Sequence, residues 1–73
     1  MVTITDKIGY GFKGRRKDGR VFIGVIQDVR IVKDSRTLVI IRQQDGKHKS
    51  FYMDEIRGWQ ASIVNGQPFL PPA

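Results

Sequence analysis

The sequence predicts an all-β domain, and three observations predict it. Four turn signals, Asp18-Gly19, Lys33-Asp34-Ser35-Arg36, Asp45-Gly46 and Asn65-Gly66, separate runs rich in β-branched and aromatic residues. Asp-Gly and Asn-Gly tolerate the positive φ angles of tight hairpins, so each of these turns has a mechanism. No segment carries apolar residues at a sustained helical spacing. Finally, the chain has 73 residues and no cysteine, which makes a single domain with a thin core. A chain of that size hides only about 60% of the surface its unfolded form exposes. Its stability is therefore expected to come from a compact barrel, from self-association, or from both.

The elements follow in order. Residues 1–10 form an N-terminal arm in which Ile4 and Ile8 lie one turn apart, enough for a short helical turn. The barrel is assigned to residues 11–64, with strands at Gly11 to Lys17, Arg20 to Ile31, Thr37 to Gln43, Lys47 to Met53 and Gln60 to Val64. In the second strand Val21, Ile23, Val25, Val29 and Ile31 line one face, and Phe22, Gly24 and Ile26 begin the other. A strand apolar on both faces is either bent sharply, with Gly24 allowing the bend, or packed on a neighbouring subunit. The third strand repeats the pattern, with Leu38 and Ile40 on one side and Val39 and Ile41 on the other. This is more apolar strand surface than one small barrel covers, and a homo-oligomer would cover the remainder. Residues 65–73 form a C-terminal tail. Within it Gln67-Pro68-Phe69-Leu70 can fold back as an edge strand, because proline cannot serve an interior ladder, and Pro71-Pro72-Ala73 is expected to fray.

Thirteen Lys and Arg stand against seven Asp and Glu, a net charge of +6 with a pI near 10.2. A polyanion is the first partner to consider. The longest apolar stretches fall far short of the roughly 20 residues that a spanning helix needs, so no membrane segment is expected. The N-terminus has no basic start followed by an apolar core, so a secretory signal is not expected, and cytoplasm is the default location. One histidine, no cysteine and three scattered serines (Ser35, Ser50, Ser62) are a poor inventory for catalysis. The reading is therefore a non-enzyme without a cofactor or metal. His48, between Lys47 and Lys49, reads as a solvated strand residue. The adjacent carboxylates Asp54 and Glu55 would point to different sides of a strand and are read as charge balance for Arg57.

Binding chemistry has better candidates. Lys13, Arg15, Arg16, Lys17 and Arg20 place five cations and one carboxylate around a tight turn. Such a basic patch either holds phosphates, releasing counterions, or guards a sheet edge with charge. Lys33 and Arg36 flank Asp34 and Ser35 in the next loop. Arg57-Gly58-Trp59 combines a guanidinium fork with an indole that stacks on a base or packs in a core or subunit interface.

One family likeness covers roughly residues 12–64. Asp18-Gly19-Arg20-Val21-Phe22-Ile23-Gly24-Val25-Ile26 resembles the first signature of Sm and LSm proteins, in which Asp-Gly-Arg is followed by three residues, Gly, any residue and an aliphatic. Ile56-Arg57-Gly58 resembles the aliphatic-Arg-Gly of their second signature, and the order of the two agrees. The resemblance implies a small, strongly bent five-stranded antiparallel barrel. It also implies subunits joined edge to edge in a homo-oligomeric ring and single-stranded RNA, often uridine-rich, bound near the pore, with Arg57 and Gly58 in the pore-lining loop. The family's Asp and Asn that read the base fall at Arg30 and Asp34 here, and Ile31, Val32 and Lys33 leave no aromatic between them. The RNA-binding candidates are thus Arg57, Gly58, Asp34, Lys33, Arg36 and Arg30. The alternative is a monomeric or dimeric small-barrel interaction module of phage or mobile-element type, in which Trp59, Tyr52 and Phe51 contact a peptide and nucleic acid is not bound.

Overall fold

The structure, a computed structural model, describes residues 4–70. Six strands build it: β1 (Gly11–Arg16), β2 (Val21–Ile31), β3 (Thr37–Arg42), β4 (His48–Tyr52), β5 (Ile56–Val64) and β6 (Gln67–Pro68). They form one antiparallel sheet in the order β4-β3-β2-β1-β5-β6. Short 3-10 turns at Ile4–Lys7, Lys33–Ser35 and Met53–Glu55 complete the described chain, and no helix in it is long and apolar enough to cross a membrane. The all-β expectation holds, and the fold-back after Asn65-Gly66 is strand β6. Two details differ from the expected barrel. There are six strands rather than five, and the sheet is open, since β4 and β5 share no ladder. The reason is that β5 pairs with β1 on one side, and β6 takes the upper part of its other side at Ile63 and Val64. Pro71, Pro72 and Ala73 lie outside the described residues, as do the first three of the arm.

The sheet nevertheless curls strongly. Phe12 of β1 stacks on Phe51 of β4 with ring centroids 5.3 Å apart, although β2 and β3 stand between those strands in the sheet. Phe22 of β2 also stacks on Phe51, with centroids 5.4 Å apart. Around these rings Ile4, Ile26, Val39, Ile41 and Ile56 complete the buried core, with Tyr10, Val29, Met53 and Ala61 packed against it. Gly24 permits the curl: a Cβ there would stand 2.6 Å from the Arg42 carbonyl oxygen of β3, closer than real side chains approach.

Two bulges correct the sequence reading of faces and boundaries. Between Ile26 and Asp28 the β2–β3 register shifts, so that Gln27 is an extra residue. The inward set is therefore Phe22, Gly24, Ile26 and, three residues on, Val29, rather than Val29 and Ile31 continuing the face of Val21. Ile31 lies beyond the core, 62% exposed. On the opposite face Ile23, Val25, Leu38 and Ile40 are half-buried. The second bulge lies where Arg15 and Arg16 of β1 face Gly58 and Ile56 of β5, leaving Arg57 as the extra residue. Strand β5 thus begins at Ile56, four residues earlier than Gln60, and Arg57, Gly58 and Trp59 belong to a strand and not to a loop.

Both Asp-Gly loops are built alike. Arg16 N donates to Arg20 O at 2.7 Å and Gly19 N to Arg16 O at 2.9 Å; Gln43 with Lys47 and Gly46 with Gln43 repeat this at 2.8 and 2.9 Å. In each, the glycine holds a positive φ, 95° and 88°, and the Asp carboxylate accepts the backbone N–H two residues on. At Asn65-Gly66 both residues are left-handed, φ 51° and 77°.

Candidate nucleic-acid interface

The link between β4 and β5 is the meeting point of three segments that the sequence keeps apart. At Met53–Glu55 the Glu55 side chain turns back to accept Tyr52 N at 3.2 Å, and its other oxygen accepts Arg16 Nη2 at 2.8 Å. Lys17 N donates to the Glu55 carbonyl at 3.1 Å. The neighbouring Asp54 receives Arg36 through a two-bond fork, Nε at 2.8 Å and Nη2 at 3.0 Å. That guanidinium also lies over the Tyr52 ring, 3.7 Å from its centroid. The β1–β2 hairpin tip, the β2–β3 loop and the start of β5 are thereby gathered at one end of the molecule.

Electrostatically the gathering is only partly balanced. The Arg36 hydrogen bond holds the Asp54 carboxyl below the usual carboxylate range, and Asp54 in turn raises Arg36. Asp18 is lowered by the Arg20 backbone N–H and the Arg20 side chain, and Asp28 chiefly by the Arg30 side chain. Four of the predicted cations, Arg16, Arg20, Arg30 and Arg36, thus sit in ion pairs with Glu55, Asp18, Asp28 and Asp54. Asp54 and Glu55 therefore do not balance Arg57, as the sequence reading had it. Among the described residues Arg15, Lys17, Lys33 and Arg57 have no such ion-pair partner.

The predicted site residues divide accordingly. Arg36, Arg16 and Lys17 contact the link and Arg57 follows it in the chain, while Lys33 and Asp34 belong to the loop that ends at Arg36, with Asp34 and Ser35 held at φ 64° and 58°. Arg30 is on β2 opposite Leu38 and is not drawn into the cluster by any contact with it. Trp59 packs its indole toward Phe12, centroids 6.1 Å apart, and remains 37% exposed at the open edge of β5. Phe51, an expected peptide contact of the interaction module, is core, 3% exposed.

Sequence reasoning missed a second feature. The ladders align Val21, Arg15 and Gly58 in one row across β2, β1 and β5, and Ile23, Lys13 and Gln60 in the next. Gly58 has no side chain and nothing lies within 4 Å of where its Cβ would stand, and an open groove of about 260 Å³ lies here, lined by Lys13, Arg15, Val21, Gly58, Trp59 and Gln60. Only strand register could have shown it, and register passes through the bulge at Arg57.

The fold and this loop cluster define a small all-β domain built on one curled, open antiparallel sheet. No family model matches the sequence, and no curated protein matches it. The fold is similar to that of a chain in the solved structure described as "Structural basis of the Dcp1:Dcp2 mRNA decapping complex activation by Edc3 and Scd6", with a TM-score of 0.69 and 17% identity over 89% of this chain. The match spans 65% of that chain's length. At such identity the likeness speaks for the fold.

Proposed function

We propose that this chain is a cytoplasmic Sm-like subunit that joins copies of itself into a ring and binds single-stranded RNA without catalysis. The observation that carries this reading is the pair of unpaired edges at the two sides of a curled sheet. Among the described residues strand β4 has no partner on its outer side, and β5 is uncovered from Arg57 to Ala61. One copy's β4 fits the β5 of the next, a head-to-tail contact that closes into a ring when the rotation allows. Exposed Ile31, Ile63 and Val64 add apolar surface for burial between copies. A ring would repeat Arg57, Lys17 and Lys33 by symmetry, so weak phosphate contacts add as avidity. The fold neighbour comes from an mRNA decapping assembly, which is compatible with work on RNA.

One observation favours the other class. Strand β6 of the same chain already covers β5 at Ile63 and Val64, which shortens the edge left for a second copy and suits a solitary domain. Light scattering separates the two, since a ring weighs several times the 8.3 kDa chain. It is paired with filter binding of labelled oligo-U, oligo-A and duplex DNA at two salt concentrations. For about four neutralised phosphates, log affinity falls with log salt at a slope near −3. A monomer that ignores every oligonucleotide supports the interaction module and ends the ring reading.

A further inference from the structure

The groove over β2, β1 and β5 is not part of the loop cluster, and it brings cationic, aliphatic and amide side chains together on one sheet face. Its rows present a guanidinium (Arg15), an ammonium (Lys13), an aliphatic wall (Val21, 42% exposed) and an amide (Gln60), beside an open backbone floor at Gly58. Arg15 has no ion-pair partner among the described residues, so its fork is available for a phosphate. The bare floor lets a flat ring approach the backbone, and an amide offers both a donor and an acceptor to a base edge. A volume near 260 Å³ is below the roughly 300 to 1,000 Å³ of sites for drug-sized ligands, and the groove is open to solvent, so it has room for one unit of a chain that continues outside.

We propose that this groove holds one nucleotide of a single-stranded RNA, its phosphate on Arg15 and Lys13, its base over Gly58 and its base edge against Gln60. The proposal rests on the reading of the chain as an RNA-binding subunit and adds a contact on the sheet face, separate from the loop residues around Met53–Glu55.

Gly58→Leu fills the groove where the structure leaves room, and Arg15→Ala and Gln60→Ala remove its polar contacts without adding bulk. Binding of a labelled oligo-uridylate, and of the same backbone with abasic sugars, is followed by fluorescence anisotropy for the wild type, these variants and Arg57→Ala. We expect Gly58→Leu to weaken oligo-uridylate binding about tenfold, the scale of one lost base contact. The preference for bases over abasic backbone should shrink in Gly58→Leu and Gln60→Ala and persist in Arg57→Ala. Gly58→Leu is checked by circular dichroism; if it fails to fold, Gln60→Ala decides the matter by the same preference. Unchanged binding by folded Gly58→Leu, alongside loss in Arg57→Ala, overturns the groove and leaves RNA binding in place. Equal competition by an oligo-glutamate of matched charge also overturns it, as unselective charge. A wild type that binds no oligonucleotide overturns both readings together.

Discussion

Arg57 and Arg36 show how much a residue's role depends on its partner. Arg36 spends its fork on Asp54 and its flat face on Tyr52, whereas Arg57, the extra residue of a bulge, has no ion-pair partner among the described residues. Arg57→Ala should therefore weaken oligonucleotide binding more than Lys7→Ala, whose ammonium lies 4.8 Å from the Tyr10 ring centroid in the N-terminal segment. Equal losses in a filter-binding assay would remove Arg57 from the interface. Acid sensitivity also belongs to this scale. Asp18, Asp28 and Asp54 titrate lower in the folded chain, so the unfolded chain takes up protons first as pH falls. Their stabilisation is complete above the unfolded carboxylate pKa of about 4 and is lost as pH drops through the folded values. These pairs are exposed, so each contribution is small. Asp54→Asn should flatten the fall of the melting temperature between about pH 5 and pH 2, and an unchanged profile would show that the Arg36 fork contributes nothing.

The strands illustrate what a sequence can and cannot reveal at the scale of an element. The turns were legible because Asp-Gly and Asn-Gly carry their own geometry, and the strands between them appear where expected, to within a residue for the first four. The bulges were not legible, because Gln27 and Arg57 are ordinary residues and a strict two-residue period hides an inserted one. That single assumption misassigned Val29 and Ile31, while the start of β5 was missed because the Sm and LSm resemblance placed Arg57 and Gly58 in a loop. The site was harder still. Arg16 and Glu55 stand 39 positions apart, and Arg36 and Asp54 18 apart, so only the folded sheet makes them neighbours. Gly24 offers the clearest test of the curl. Gly24→Ala sets a methyl against the Arg42 carbonyl and should cost about 1 to 3 kcal/mol in denaturant unfolding, the range of overpacked cores. A loss below about 0.5 kcal/mol would mean the β2–β3 approach is not tight.

At the scale of the whole molecule, eight buried apolar side chains among the described residues make a modest core, clustered on three stacked phenylalanine rings. Phe12 touches both Phe51 and Trp59 and should be its most costly member, with Phe12→Ala losing about 3 to 5 kcal/mol. A chain this small has little stability in reserve, so such a loss approaches global unfolding. If copies join through the β4 and β5 edges, association stabilises the folded form by mass action. The melting temperature should then rise with protein concentration, and a constant value over a hundredfold range, about two decades, would favour a solitary domain.

Pro68 lies opposite Ile63 at the outermost strand and has no backbone N–H to offer. Hydrogen bonding cannot zip onward past that margin, so sideways growth on this flank is restricted to the short bare stretch of β5. An incoming ribbon has few residues along which to slide, and its alignment is decided by the fold before any side chain is consulted.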